Sequence, residues 1–96
     1  MITSKQRAYL RGLGNTVETI LQIGKSGITD AVMIQVDEAL TARELIKIRV
    51  LETAPVTPRE AAAEFAESLS AEIVQVIGTR FILYRPNLKK PIIVLK

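Results

Sequence analysis

The sequence of 96 residues contains no cysteine, no histidine and no tryptophan. The lack of cysteine excludes disulfides and thiolate nucleophiles, and the lack of histidine excludes imidazole bases and zinc-finger sites. No apolar run approaches the ~20 residues that a membrane-spanning helix needs. The first residues show no basic-then-apolar signal pattern, so we expect a cytoplasmic protein. The hydrophobic content of 48% is typical of a folded chain, and the length suits one domain over residues 1–96.

The positive charge is concentrated at the two ends of the sequence. Residues 1–25 carry a net charge of +3, and residues 78–96 carry five cations and no acid. The residues between them carry a net charge of −5. If the two ends meet in space, they form one positive face opposed to acidic helices, which is the electrostatic footprint of a polyanion-binding protein. The alternative is an ordinary solvated surface.

Hydrophobic periodicity and capping patterns predict the element order α-β-α-β-α-β-β. The predicted helices cover residues 4–13, 29–43 and 58–69, and the predicted strands cover residues 17–23, 45–51, 73–77 and 81–85. We expect Tyr9, Leu10 and Leu13 to form the apolar stripe of the first helix. Gly12, Gly14 and Asn15 accept left-handed conformations, so we expect them to end this helix. The apolar run over residues 92–95 either forms an edge strand or covers the core. This order implies an α/β fold with about four strands.

One short stretch between the first strand and the second helix has the residues of an anion-binding loop. Gly24 and Gly27 flank Lys25 and Ser26. Glycine lets a backbone approach a ligand closely, and the amides at the start of the following helix favour an anion such as phosphate. The alternative is a short βα turn whose glycines serve only chain reversal.

The sequence gives no support for catalysis. Gly24-Lys25-Ser26 matches the end of a Walker A loop, but Thr19 stands where that motif requires its first glycine. No pair of carboxylates has a spacing suited to acid–base chemistry or to metal binding. We therefore expect no enzyme activity, no catalytic residue, no metal, no cofactor and no small-molecule substrate.

Four segments in order resemble the CRM domain, the chloroplast RNA splicing and ribosome maturation module, and most closely the stand-alone bacterial YhbY-like proteins. They are Lys5-Gln6-Arg7 with Leu10-Arg11, Gly24-Lys25-Ser26-Gly27, Glu44-Leu45-Ile46-Lys47-Ile48, and Val74 to Gly78 running into Leu83-Tyr84-Arg85-Pro86. Ser70 departs from the family, which often has a helix-ending glycine there. Thr16 to Thr19 also lacks the usual proline.

The resemblance implies a compact two-layer α/β fold with a mixed four-stranded sheet, similar to the C-terminal domain of translation initiation factor three. It also implies RNA binding through a GxxG loop, in association with precursor large ribosomal subunits. Lys47 and Arg49 would contribute only if their face of the strand is uncovered. The candidate RNA-binding residues are Gly24, Lys25, Ser26, Gly27, Arg7, Arg11, Lys47, Arg49, Arg85, Lys89 and Lys90.

Two other functions fit the same residues. An Alba-like protein that coats nucleic acid shares much of the element order. A protein-interaction adaptor would use the acidic helix faces or the apolar C-terminal run. The small number of aromatic residues, 4% of the chain, predicts that any RNA is recognised by shape and phosphate spacing instead of base stacking.

Overall fold

The computed structural model describes residues 2–94, so Met1, Leu95 and Lys96, including the end of the apolar run, lie outside it. The element order and types agree with the sequence prediction. The elements are α1 Ser4–Gly14, β1 Thr19–Ile23, α2 Asp30–Arg43, β2 Leu45–Val50, α3 Pro58–Leu69, β3 Glu72–Ile77 and β4 Arg80–Tyr84. Their bounds differ from the prediction by one or two residues, which is the usual uncertainty of element ends.

The four strands form one mixed sheet in the order β1-β2-β4-β3. The neighbours β1 and β2 are parallel and are joined through α2, whereas β4 pairs antiparallel with both β2 and β3. The predicted α/β class with a mixed four-stranded sheet is therefore confirmed.

Helices lie on both faces of the sheet. The expected two layers, the sheet with α2 and α3, are therefore joined by α1 on the opposite face. On one face, α2 and α3 bury Val36, Leu40 and Phe65 against the alternating strand residues Ile46 and Ile48. On the other face, α1 packs Leu10 into a smaller cluster, which contains Leu45, Val74, Ile82 and Tyr84. Because α1 is a single helix of 11 residues, it covers only part of this second face.

The helix ends show which glycines the fold requires. Thr3 and Thr57 each form the predicted capping box, with Gln6 and Glu60 respectively. The expectation of a left-handed end to α1 is wrong, because Asn15 has φ −63° and neither Gly12 nor Gly14 has a positive φ. Gly14 instead packs closely on β4, since a Cβ there would lie 2.5 Å from Cδ1 of Ile82, whose buried side chain would have to shift. Tyr9, which we expected in the buried apolar stripe of α1, is 38% exposed.

A buried glutamate holds the C-terminal segment on the molecule. Glu44 is fully buried, and its carboxylate accepts hydrogen bonds from the amides of Asn87, Ile92 and Ile93 at 2.5, 2.9 and 2.6 Å. The backbone carbonyl oxygen of Glu44 also accepts a hydrogen bond from the backbone amide of Arg85, with an N···O distance of 2.9 Å. Residues 92–94 are not in a strand, and Ile93 packs against the cluster around Leu10, so this part of the apolar run covers the core.

Candidate nucleic-acid interface

The glycine loop is a tight turn with its two polar side chains exposed. The amide of Gly27 donates to the carbonyl of Gly24 at 2.9 Å, which places Lys25 and Ser26 at the corners of the turn. Both of these side chains are exposed. The amide of Gly27 is therefore occupied by the protein and is not available to a ligand. Within residues 2–94, the amides of Ser26, Ile28 and Thr29 have no hydrogen-bond partner.

The two glycines of the loop have different structural requirements. Gly27 has φ +69°, and a Cβ there would lie 2.9 Å from Cγ of Pro55, so the fold itself demands glycine. Gly24 has no positive φ, and a Cβ there would make an ordinary 3.8 Å contact with Leu51. The turn geometry thus explains why residue 27 is glycine, but it does not require glycine at position 24.

Three loops meet at the edge of the sheet where β1 and β2 end. The amide of Leu51 donates to the carbonyl of Ile23, and the amide of Val50 donates to the carbonyl of Thr79 in the β3–β4 turn. The glycine loop follows Ile23 directly. We refer to this edge, formed by residues 24–29, 51–57 and 78–79, as the glycine-loop edge.

A row of cations crosses the sheet beside this edge. Arg49 on β2 pairs directly with Arg80 on β4, and Gln22 on β1 lies on the other side of Arg49. Directly opposed residues of neighbouring strands share a face of the sheet. Lys47, two residues before Arg49, is opposite Ile82, which belongs to the α1 cluster. The basic face of β2 therefore lies on the α1 side, and Lys47 and Arg49 are half-buried there while Arg80 is exposed.

The two arginines of α1 lie four residues apart on this side of the sheet. Arg7 is half-buried and donates a guanidinium hydrogen bond to the carbonyl of Ile73 on β3, which anchors its side chain. Arg11 is exposed and makes no hydrogen bond within the described residues. Of the two, Arg11 is the one whose charge is free for a ligand.

Arg85 is engaged in internal contacts. Its guanidinium donates to the Asp37 carboxylate at 2.7 Å, the Asp37 carbonyl at 3.0 Å, the Thr41 hydroxyl at 2.9 Å and the Leu69 carbonyl at 3.1 Å. These contacts fasten the end of β4 to α2 and α3. Across residues 2–94 the Asp37–Arg85 contact is the one ion pair, so the structure assigns Arg85 a stabilising role and we do not include it in the interface.

The chain ends meet, but the basic residues do not form one continuous strip. Ile2 and Ile93 both pack against the cluster around Leu10. The loop with Lys89 and Lys90 is held through Asn87 to Glu44, which immediately precedes β2. The glycine loop lies at the opposite end of the six residues of β2, roughly 17 to 20 Å away at ~3.3 Å per residue. The two lysines thus form a second basic surface, separate from the glycine-loop edge.

Sequence reasoning missed two residues that matter for these surfaces. Arg80 lies between two predicted strands in the sequence, and only the strand register shows that it lies beside Arg49. Glu44 lies in one of the family-like segments, but the sequence does not indicate that it fixes the position of the Lys89–Lys90 loop. A charged residue directly before a strand of alternating apolar residues is no signal of burial.

Comparisons with known proteins show the family of the chain. The sequence profile of the CRS1 / YhbY (CRM) domain matches residues 2–85. The chain belongs to the CRM domain family. This CRM domain is 36% identical over 87 residues to the Bacillus subtilis protein named "Probable RNA-binding protein YqeI", with 91% of each chain covered. It is 30% identical over 86 residues to a Haemophilus influenzae protein named "RNA-binding protein", covering 90% of this chain and 87% of the other.

A solved structure is similar over the full length of this CRM domain. The solution structure of the hypothetical Staphylococcus aureus protein SAV1595, described as a candidate RNA-binding protein, has a TM-score of 0.74 and 40% identity. The similarity covers 100% of both chains. None of the helices in residues 2–94 is long and apolar enough to cross a membrane. The same residues contain no group of three or more acidic side chains arranged to hold a metal ion.

Proposed function

We propose that this CRM domain binds structured RNA at the glycine-loop edge and acts in the assembly of the large ribosomal subunit. The family and the names of its relatives support RNA as the ligand. The observation that carries the choice of site is the exposed Lys25-Ser26 turn beside a row of cations without acidic partners.

The contacts in this proposal follow from the loop geometry. The Lys25 ammonium and the amides of Ser26, Ile28 and Thr29 bind phosphate oxygens, because helix N-termini and unpaired amides favour anions. Gly24 allows the RNA backbone to approach the turn. Lys47, Arg49 and Arg11 hold neighbouring phosphates. Since phosphate contacts carry no base identity, selectivity comes from the spacing of phosphates in folded RNA.

The salt dependence of binding tests the proposed ligand. With about five phosphates neutralised, log affinity plotted against log salt has an expected slope near −3 to −5, from roughly 0.7 to 0.9 per phosphate. Fluorescence anisotropy with a large-subunit ribosomal RNA fragment measures this slope. An affinity that does not change with salt contradicts phosphate-based binding.

Two substitutions test the proposed site. Lys25→Ala removes one phosphate contact and should reduce the magnitude of the salt slope by about 0.7 to 0.9. Gly24→Ala adds a Cβ that the fold accommodates, so it should weaken RNA binding with little change in stability. The matched control is Arg59→Ala, because Arg59 is an exposed cation on α3, beyond the opposite face of the sheet. If Gly24→Ala binds RNA as tightly as the unaltered chain, the loop is only a turn.

Co-sedimentation tests the proposed biological context. At low salt, the protein should migrate with precursor particles of the large subunit and crosslink to their RNA. Migration with small-subunit particles alone contradicts this part of the proposal and leaves the RNA-binding site unaffected.

A further inference from the structure

The row of cations beside the glycine loop contains an unfavourable pair. Arg49 and Arg80 are directly opposed across β2 and β4. Like charges at such positions repel each other and destabilise a sheet. Neither arginine has an ion-pair partner within residues 2–94, and the register neighbours of Arg49 are Gln22 and Arg80, neither of which is acidic.

Arg49 also carries an unsatisfied buried donor. Its Nε is buried and has no hydrogen-bond partner among the described residues. A buried donor without a partner costs stability, and most such groups in folded proteins find one. Arg49 therefore has two unfavourable features in the isolated fold, a like charge beside it and a buried donor without an acceptor.

Arg80 is held in place near Arg49. Its Nε donates to the hydroxyl of Thr19 on β1 at 3.1 Å, so its side chain reaches across β2 on the same face of the sheet. This hydrogen bond uses one donor and leaves the two terminal nitrogens of Arg80 for a ligand. Two guanidinium groups presented together match the geometry of a phosphate, which accepts paired hydrogen bonds from arginine.

The position of the pair relative to the glycine loop is set by the register. Gln22 on β1 lies beside Arg49 and two residues before Gly24. The Cα atoms of Gln22 and Gly24 are therefore roughly 7 Å apart at the ordinary rise of a strand. The end of α1 at Gly14 packs over Ile82, two residues along β4 from Arg80, so the helix does not extend over the pair.

We propose that Arg49 and Arg80 form a clamp for one backbone phosphate of the RNA, next to the phosphate contacted by the glycine loop. The bound phosphate neutralises the repulsion between the two arginines and accepts hydrogen bonds from their terminal nitrogens, whereas the buried Nε of Arg49 stays out of its reach. This inference rests on the proposed RNA binding and assigns a role to Arg80, which lies outside the GxxG loop and outside the predicted site.

The clamp predicts opposite effects of one substitution on binding and on stability. Arg49→Met removes the repulsion and the buried unpaired Nε, so it should raise the melting temperature by up to about 5 °C. The same substitution should weaken binding of a fluorescently labelled ribosomal RNA hairpin about tenfold or more. Arg80→Met should weaken binding similarly and raise the melting temperature less, because it relieves the same repulsion but loses the hydrogen bond to Thr19 and leaves the buried Nε of Arg49 in place.

The control and the outcomes separate this inference from the proposed function. Arg59→Met removes an equal charge from α3 and should change RNA affinity less than twofold. If Lys25→Ala weakens binding but Arg49→Met and Arg80→Met do not, the clamp is wrong and the loop remains the site. If the arginine variants lower the melting temperature and leave RNA affinity unchanged, the pair is structural. If the unaltered chain binds no RNA, the proposed function itself fails.

Discussion

Replacing Glu44 should loosen the C-terminal segment more than any surface substitution. The Glu44 carboxylate is fully buried and accepts three hydrogen bonds, from the backbone amides of Asn87, Ile92 and Ile93. Hydrogen bonds to a charged group contribute about 1.5 to 3 kcal/mol each, and a buried donor left without a partner adds a penalty. The segment can partly detach and become hydrated, so the loss is smaller than the full sum. We expect Glu44→Ala to lower the free energy of unfolding by about 3 to 5 kcal/mol.

Two further variants of Glu44 separate its side chain from its backbone. Glu44→Gln keeps one carbonyl oxygen but places an amide group against an N–H donor, so we expect a loss of about 2 kcal/mol. Glu44 has φ +64°, which is an unfavourable backbone conformation for every residue except glycine. Glu44→Gly should therefore be about 1 kcal/mol more stable than Glu44→Ala.

Urea unfolding followed by circular dichroism measures these stabilities, and hydrogen exchange reports the amides of Ile92 and Ile93 directly. The matched control is Glu38→Gln, an exposed carboxylate on the preceding helix α2, which should change stability by less than about 0.5 kcal/mol. The reasoning is refuted if Glu44→Gln is as stable as the unaltered chain and both amides keep their protection from exchange.

Three other predictions concern the fold. Ser70→Gly should stabilise the chain by about 1 kcal/mol in urea unfolding, because Ser70 ends α3 in the left-handed conformation at φ 54° and ψ 44°. Gly14→Ala should destabilise it by about 1 to 3 kcal/mol, because the added Cβ collides with Ile82. Burial, and secondly the charge of Glu44, raises the pKa of Tyr84 above 10.0. The unfolded chain therefore loses this proton first, and stability should fall as the pH rises above about 10.

Each of these predictions has a matched control. A Cβ at Gly12 meets nothing within 4 Å, so Gly12→Ala should be stabilising, and a loss as large as that of Gly14→Ala would contradict the packing argument. Tyr84→Phe should weaken the alkaline loss of stability, and an unchanged pH profile would show that other groups cause it. Ser70→Ala should give no gain, so an equal gain from alanine and glycine would refute the backbone explanation.

The parts of the fold that follow local rules could be predicted from the sequence. The capping boxes at Thr3 and Thr57 and the alternation of Ile46 and Ile48 with Lys47 depend on residues a few positions apart. These patterns determine element types and the two faces of β2. Which helix covers the basic face depends on where α1 packs, and α1 precedes β1, outside the crossover unit whose handedness is restricted.

The contacts that decide which charged residues belong to the candidate site join residues far apart in sequence. Glu44 meets the amide of Ile93 across 49 positions, and Arg85 meets Asp37 across 48. A charged residue gives the same local pattern whether it is solvated, engaged as Arg85 is, or opposed to another cation as Arg49 is. The register of β2 and β4 distinguishes these cases, and it follows from the assembled sheet.

The most direct test of the account is to map the RNA contact surface by NMR. A labelled chain titrated with a ribosomal RNA hairpin should show its largest amide shift changes at residues 24–29 and around Arg49 and Arg80. The acidic outer face of α3, with Glu60, Glu64 and Glu67 exposed, should show little change. The largest changes on that acidic face, with residues 24–29 unaffected, would contradict the central claim that the glycine-loop edge binds RNA.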